Sequence, residues 1–132
     1  MEESLLNYSG YGLGLWALTL RGSDEAIGDC GLDVIKGLEG FDSTEGAEGR
    51  EQIQIGWHVR RDLWGQGLAT EAALAWRDYA FNRLGLSTLS ALIQPENTAS
   101  RRVAEKIVMT LLRQVLHRDR TICLYRMQPP QP

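Results

Sequence analysis

The residues of this chain best suited to chemistry are Gly65-Gln66-Gly67, which lie between a stretch with strand alternation and a long stretch with helical periodicity. The first backbone N–H groups of a helix have no acceptor inside the helix. Aligned peptide dipoles add partial positive charge at the same end. Glycine carries no Cβ to hold a phosphate away from those amides. Gly65, Gly67 and the amides of Gln66, Leu68, Ala69 and Thr70 therefore form a candidate pyrophosphate cradle. A plain tight turn has the same glycine spacing, so spacing alone leaves both readings open. Two better-known phosphate motifs are excluded. GxxxxGK[ST] is absent, and Leu68-Ala69-Thr70 after Gly67 does not complete GxGxxG.

Such a cradle needs a strand leading in and a helix leading out. From 52 to 60, Ile53, Ile55, Trp57 and Val59 alternate with Gln54, His58 and Arg60, the pattern of a half-buried strand. From about Gln66 to Leu84, Leu68, Ala72, Ala75 and Tyr79 recur at helical spacing, joined by Ala69, Ala73, Trp76 and Ala80, and Gly85 supplies the stop. Leu86–Gln94 reads as a further strand. Pro95-Glu96-Asn97 opens a second helix with Asn97 as its N-cap, and Ala99, Val103 and Ile107 share one face. Leu111–His117 and Thr121–Met127 form a hairpin. Upstream, residues 4–14 read as a short helical end and a glycine turn. Strands follow at 15–21 and 26–35, and the glycine-rich, acidic segment 36–50 reads as a loop. The order β-β-β-α-β-α-β-β predicts an α+β (mixed α/β) domain over residues 1–127 with about six strands, followed by a disordered tail, 128–132.

Bulk properties narrow the function classes. A length of 132 residues accommodates one core. A net charge of −3 leaves no footprint for nucleic acid, and no apolar run approaches the roughly 20 residues a membrane span needs. Glu2 and Glu3 stand where a signal peptide needs positive charge, so a cytoplasmic location is expected. Cys30 and Cys123 belong to no metal-ligand spacing, and reduced thiols without a metal are expected.

The stretch from Ile55-Gly56-Trp57 through Trp64-Gly65-Gln66-Gly67-Leu68-Ala69-Thr70-Glu71-Ala72 resembles the acetyl-CoA motif of the GNAT superfamily of N-acetyltransferases, and most closely its Rim-type branch of ribosomal-protein N-terminal acetyltransferases. A second stretch, Pro95-Glu96-Asn97-Thr98-Ala99-Ser100-Arg101-Arg102-Val103-Ala104-Glu105-Lys106, resembles the family's Pro-x-Asn-x-x-Ser-x-x-Val-x-Glu-Lys helix, and Gly10-Tyr11-Gly12 with Trp16-Ala17-Leu18 is similar to its second-strand entry. Together they span roughly residues 5–127. The resemblance implies a GNAT-like, mostly antiparallel sheet flanked by helices, shortened at the N-terminus, with a V-shaped cleft between the strands at 52–60 and 88–94. It further implies acetyl-CoA as cosubstrate and a primary amine (protein N-terminus, polyamine or small molecule) as acceptor. The pantetheine arm would pair with backbone around Trp57 to Arg60, and the Val59 amide would face the thioester oxygen. Trp57 and Trp64 would line the cleft, Asn97 and Ser100 would lie near the arm and sulfur, and Arg60 or Arg61 would assist the backbone amides at the pyrophosphate. A shortened front suggests a homodimer.

Besides the shortened front, and Asp62 where the family often has arginine or glutamine, the chain departs from the pattern in three places. Where some relatives carry a glutamate base, Gln54 and Ile55 stand, which leaves His58 and Glu51 as the nearby candidates. Imidazole titrates between about pH 5 and 8, which suits a base. A tyrosine acid common in relatives falls near Ala104, which leaves Ser100 as the candidate at the leaving sulfur. Val108 replaces the glycine that ends the second helix, so a different junction is expected there. The alternatives are a CoA-binding or assembly module without turnover, and a nucleotide-binding domain that uses the same turn.

Overall fold

The computed structural model describes residues 6–7, 14–35, 38–39 and 53–129. Its strands are β1 (Leu6–Asn7), β2 (Gly14–Leu20), β3 (Ala26–Val34), β4 (Leu38–Glu39), β5 (Ile53–Val59), β6 (Leu89–Ile93), β7 (Thr110–His117) and β8 (Arg120–Met127). The helices are α1 (Leu68–Asn82) and α2 (Thr98–Lys106), with one 3₁₀ turn at Arg61–Leu63. The strands form one sheet in the order β1-β2-β3-β5-β6-β8-β7-β4. Six of them are longer than two residues. Every pairing is antiparallel except β5 with β6, so the α+β sheet expected from the sequence is present.

The core lies between the sheet and α1. Leu18, Cys30, Leu32, Ile55 and Trp57 point from β2, β3 and β5 toward the same buried cluster as Leu68, Ala72, Ala73, Trp76 and Ala80 of α1. The small alanines let α1 lie close to the strands while Trp76 fills the space between them. Burying such a side chain contributes roughly 2–3 kcal/mol. β6 is central and covered on both faces: Leu89, Ser90 and Ala91 are consecutive and buried, the pattern of a strand without a solvent face. Arg77 of α1 donates to the carbonyl of Ile107 at 3.0 Å and so ties α1 to the residue capping the end of α2. Arg101 of α2 reaches Tyr125 Oη (2.9 Å) and the Pro95 carbonyl (3.1 Å), which fixes α2 against β8.

Three expectations are corrected. The short helical end read at the start of residues 4–14 is, at Leu6–Asn7, an edge strand opposite Thr19–Leu20. The loop read into 36–50 contains β4, where Leu38–Glu39 pair with Leu116–His117 at the other sheet edge. Two-residue edge strands are held by pairing alone and carry no periodicity of their own. The third concerns Val108. The junction after α2 does not differ in kind from a glycine-ended helix: Val108 itself takes φ +75°. Val108 N–H bonds to Glu105 and Met109 N–H to Ala104, closing the helix end as a glycine would. Smaller adjustments move the start of α1 from Gln66 to Leu68 and that of β6 from Leu86 to Leu89. Gln128 and Pro129 follow β8 without regular structure, and the rest of the expected tail, 130–132, lies outside the described residues.

Candidate active site

Gly67 is the N-cap of α1 and adopts φ +78°, with no side chain capping the helix. Gly65 lies at φ +86°. Both conformations favour glycine. The first intrahelical bond runs from Glu71 N–H to the Gly67 carbonyl at 2.9 Å. By helix geometry, the N–H groups of Leu68, Ala69 and Thr70 precede that bond and have no acceptor within α1. A Cβ built on Gly65 or Gly67 meets no described residue within 4 Å. Among the described residues, the helix start therefore opens into space.

That space is a cleft enclosing about 310 Å³. Its floor is the end of β5 (Trp57, His58, Val59), its head is the glycine turn with the start of α1, and its far wall is α2. The sheet splits beside it. β5 and β6 share a single register pair, Gln54 opposite Ser90, and run apart beyond it. The β3–β5 ladder fixes what faces the split. Arg60 N–H bonds to the Ile27 carbonyl at 2.7 Å, and in an antiparallel ladder hydrogen-bonded and non-bonded pairs alternate. His58 and Gly56 thus bond toward β3, while the backbone groups of Trp57 and Val59 point toward the split. Trp64 Nε1 donates to the Val59 carbonyl at 2.6 Å. This leaves the Val59 N–H and the Trp57 backbone pair directed into the cleft. Trp57 Nε1 is buried and has no hydrogen-bond partner among the described residues.

Most of the residues singled out from sequence meet here. Trp57, His58, Val59, Trp64, Gly65 and Gly67 line the cleft from one side, continued by Leu68, Ala69 and Thr70, and Asn97 and Ser100 line it from the other. Asn97 caps α2, its Oδ1 accepting from Ser100 N–H at 3.1 Å. Gln66, Arg60 and Arg61 do not line it. Arg60 is held by Asp62 (2.7 Å) and Glu25 (3.2 Å), hydrogen bonds that raise its pKa and commit it away from the cleft. The Arg61 guanidinium stacks over the Trp64 ring, 5.2 Å from its centroid. Glu51 lies outside the described residues. Tyr125 is buried core.

Sequence reasoning missed three residues. Arg102 and Lys106 bring positive charge to the cleft from α2; their i, i+4 spacing put them on one helix face, but only the packing of α2 shows which way it points. Asp29 stands opposite His58 in the β3–β5 register, and its Oδ1 lies 2.8 Å from His58 Nδ1. No group of three or more metal-ligating side chains occurs among the described residues, and no helix there is long and apolar enough to cross a membrane.

The chain is similar to the "Uncharacterized protein YkkB" of Bacillus subtilis (strain 168), 35% identical over 119 residues, covering 90% of this chain and 63% of that protein. Its fold is similar to the acetyltransferase from Agrobacterium tumefaciens str. C58 (TM-score 0.70, 30% identity, 88% of this chain and 61% of that one). It is also similar to Mycobacterium smegmatis RimJ in complex with CoA-disulfide (TM-score 0.64, 25% identity, 86% of this chain and 52% of that one). The chain thus spans less than two thirds of the length of these relatives. A profile described as "Acetyltransferase (GNAT) domain" matches residues 2–110, over the same glycine turn, split strand and capped helix that build the cleft, and the chain belongs to the GNAT acetyltransferase family.

Proposed function

We propose that this chain is an N-acetyltransferase that moves the acetyl group of acetyl-CoA to a primary amine within a ternary complex. The observation that carries the reading is the uncapped start of α1 opening into a cleft beside the split between β5 and β6. The free amides of Leu68, Ala69 and Thr70 suit a pyrophosphate, and the cations of Arg102 and Lys106 stand in the same cleft. The Trp57 backbone suits the amides of the pantetheine arm, which would continue β5 like an added strand. Acetyl-CoA supplies an activated acyl carbon. The Val59 N–H is oriented to stabilise negative charge on the carbonyl oxygen during attack, and the Ser100 hydroxyl is the candidate hydrogen-bond donor to the departing sulfur. The acceptor in this reading is a primary amine of a protein N-terminus, a polyamine or a small molecule, and the similarity to RimJ in complex with CoA-disulfide supports the cofactor half of the reading. A homodimer is part of this reading, supported by Leu111, Leu112 and Leu116, which stand 41–46% exposed along β7. Elution as a monomer at micromolar concentration would remove that part.

Thermal unfolding with added acetyl-CoA tests the main claim. A ligand at 100 times its Kd stabilises the folded state by about 2.7 kcal/mol. A larger shift with ATP or NAD would replace acetyl-CoA with a nucleotide. A shift with acetyl-CoA but no thiol release against a broad amine panel would make the chain a binding module.

A further inference from the structure

Among the described residues, one pair of side chains beside the cleft is suited to proton transfer: His58 lines the cleft, Asp29 stands behind it, and only His58 was visible from the sequence. His58 lines the cleft and projects from the polar face of β5, where its imidazole is exposed. Asp29 projects from the same sheet face of β3, directly across the register. Their 2.8 Å contact runs from Nδ1 to a carboxylate oxygen. A carboxylate only accepts hydrogen bonds, so Nδ1 must carry the proton. In the neutral ring Nε2 then keeps its lone pair and is free to accept a proton.

We propose that His58 is the general base of the acetyl transfer and that Asp29 is its positioning residue, fixing the tautomer and the ring plane. This rests on the acetyltransferase reading above. An acceptor ammonium gives a proton to His58 Nε2 and gains a nucleophilic lone pair. The N–C bond to the acetyl carbon forms as the C–S bond breaks. The second amine proton passes to the departing thiolate, and imidazolium returns its proton to solvent, so one ammonium and one thioester give one amide, one thiol and one proton. Gly56, two residues before His58 on the same face of β5, leaves room for the acceptor: among the described residues an added Cβ there meets only Leu15 Cδ2, at 3.9 Å, whereas Gly31 opposite it is closed off by the Gly14 carbonyl.

Among the described residues, the charged groups around the pair are few. On β3 they are Asp29 and, four residues on, Asp33. Two residues past His58 comes Arg60, held by Asp62 and Glu25. From α2, Arg102 and Lys106 line the same cleft. The exposure of the pair (72% for His58, 40% for Asp29) lets water screen the ion pair, so the main role of Asp29 is tautomer and orientation.

Two measurements on the full chain test this. The first is ¹⁵N NMR of the imidazole at neutral pH without ligand. Wild type is expected to show His58 as the Nδ1–H tautomer, and Asp29→Asn, whose amide can donate, to shift it toward Nε2–H. A predominantly Nε2–H ring in wild type would overturn the proposal. The second is turnover against a reactive amine together with the acetyl-CoA thermal shift. His58→Gln should lower kcat/KM about 100-fold. Asp29→Asn should lower it about tenfold, because water competes for the exposed Nδ1, and Asp29→Glu should restore most of it. Both losses should appear in kcat, with the thermal shift intact and the acid limb of the pH profile gone in His58→Gln. Wild-type turnover in both variants would sink the dyad and leave the cofactor reading standing; no thermal shift in wild type would sink the cofactor reading itself.

Discussion

Replacing Val108 with glycine should make this protein more stable, although it deletes a side chain. Val108 sits at φ +75° between α2 and β7. For an L-residue that conformation presses Cβ against the following carbonyl and costs roughly 1–2 kcal/mol, with β-branched residues at the upper end. The hydrogen bonds of Val108 and Met109 to Glu105 and Ala104 hold the backbone there, so the cost is not relieved by moving. The side chain returns little, since Val108 is 69% exposed; the covered third is worth about 0.5 kcal/mol. Glycine also makes the unfolded chain more flexible, which offsets roughly another 0.5 kcal/mol. The expected net gain is about 0.5–1 kcal/mol, or about 2–4 °C in Tm for a chain of this size. Thermal and urea unfolding followed by circular dichroism measure it, and the urea m-value should not change. Val108→Ala keeps the Cβ clash and removes only the branch, so its melting point should fall between the two. A Val108→Gly protein no more stable than wild type, or less stable than Val108→Ala, would refute the steric reasoning.

Gly67→Val should abolish the acetyl-CoA thermal shift while costing roughly 1–2 kcal/mol of stability, because the added side chain enters open cleft at a positive φ; an unchanged shift would move the ligand elsewhere. Arg102→Gln and Lys106→Gln should each weaken acetyl-CoA binding by several-fold, read by calorimetry, and flatten its salt dependence; equal affinity at low salt would show that the cations do not meet the phosphates. Gly31→Ala should destabilise the fold by several kcal/mol, since its Cβ would collide with the Gly14 carbonyl on the neighbouring strand; a urea midpoint like wild type would contradict that close approach. Burial raises the pKa of the Cys30 thiol far above its ordinary value of 9.0. The folded state therefore keeps this proton where the unfolded chain loses it, so stability is full below the ordinary thiol value and falls as pH rises past it. Urea midpoints between about pH 8 and 10 should decline faster in wild type than in Cys30→Ala, and parallel slopes would refute the assignment.

What the sequence revealed about this site was local. The glycine turn, the Asn97 cap bonded to Ser100 and the alternation of Ile53 to Val59 are each set within a few residues, so residue types report them directly. What it hid depends on register or on packing. Asp29 meets His58 only because Asp33 pairs with Gln54 and the ladder runs without a shift from there to Gly28 and Val59. Arg102 and Lys106 reach the cleft because Arg101, their neighbour, turns toward Tyr125 and the Pro95 carbonyl and so sets the rotation of α2. Arg60 looked like a phosphate ligand by its position after β5, yet Glu25, 35 positions earlier, holds it.

Val108 belongs with these residues, and it shows why the divide falls where it does. Its own preference argues against a left-handed backbone, but α2 must end and Thr110 must enter β7 beside Arg126 of β8. One residue's strain, of order 1–2 kcal/mol, is small beside the burial of Ala104, Ile107 and Met109, which the turn allows. Tertiary packing overrides local propensity wherever burial stabilises the chain by more than the strained backbone costs it. The cleft exists on the same footing: β5 and β6 give up ladder hydrogen bonds beyond Gln54 and Ser90, and the Trp57 backbone groups and Val59 N–H so exposed are stable only if water or a ligand completes them.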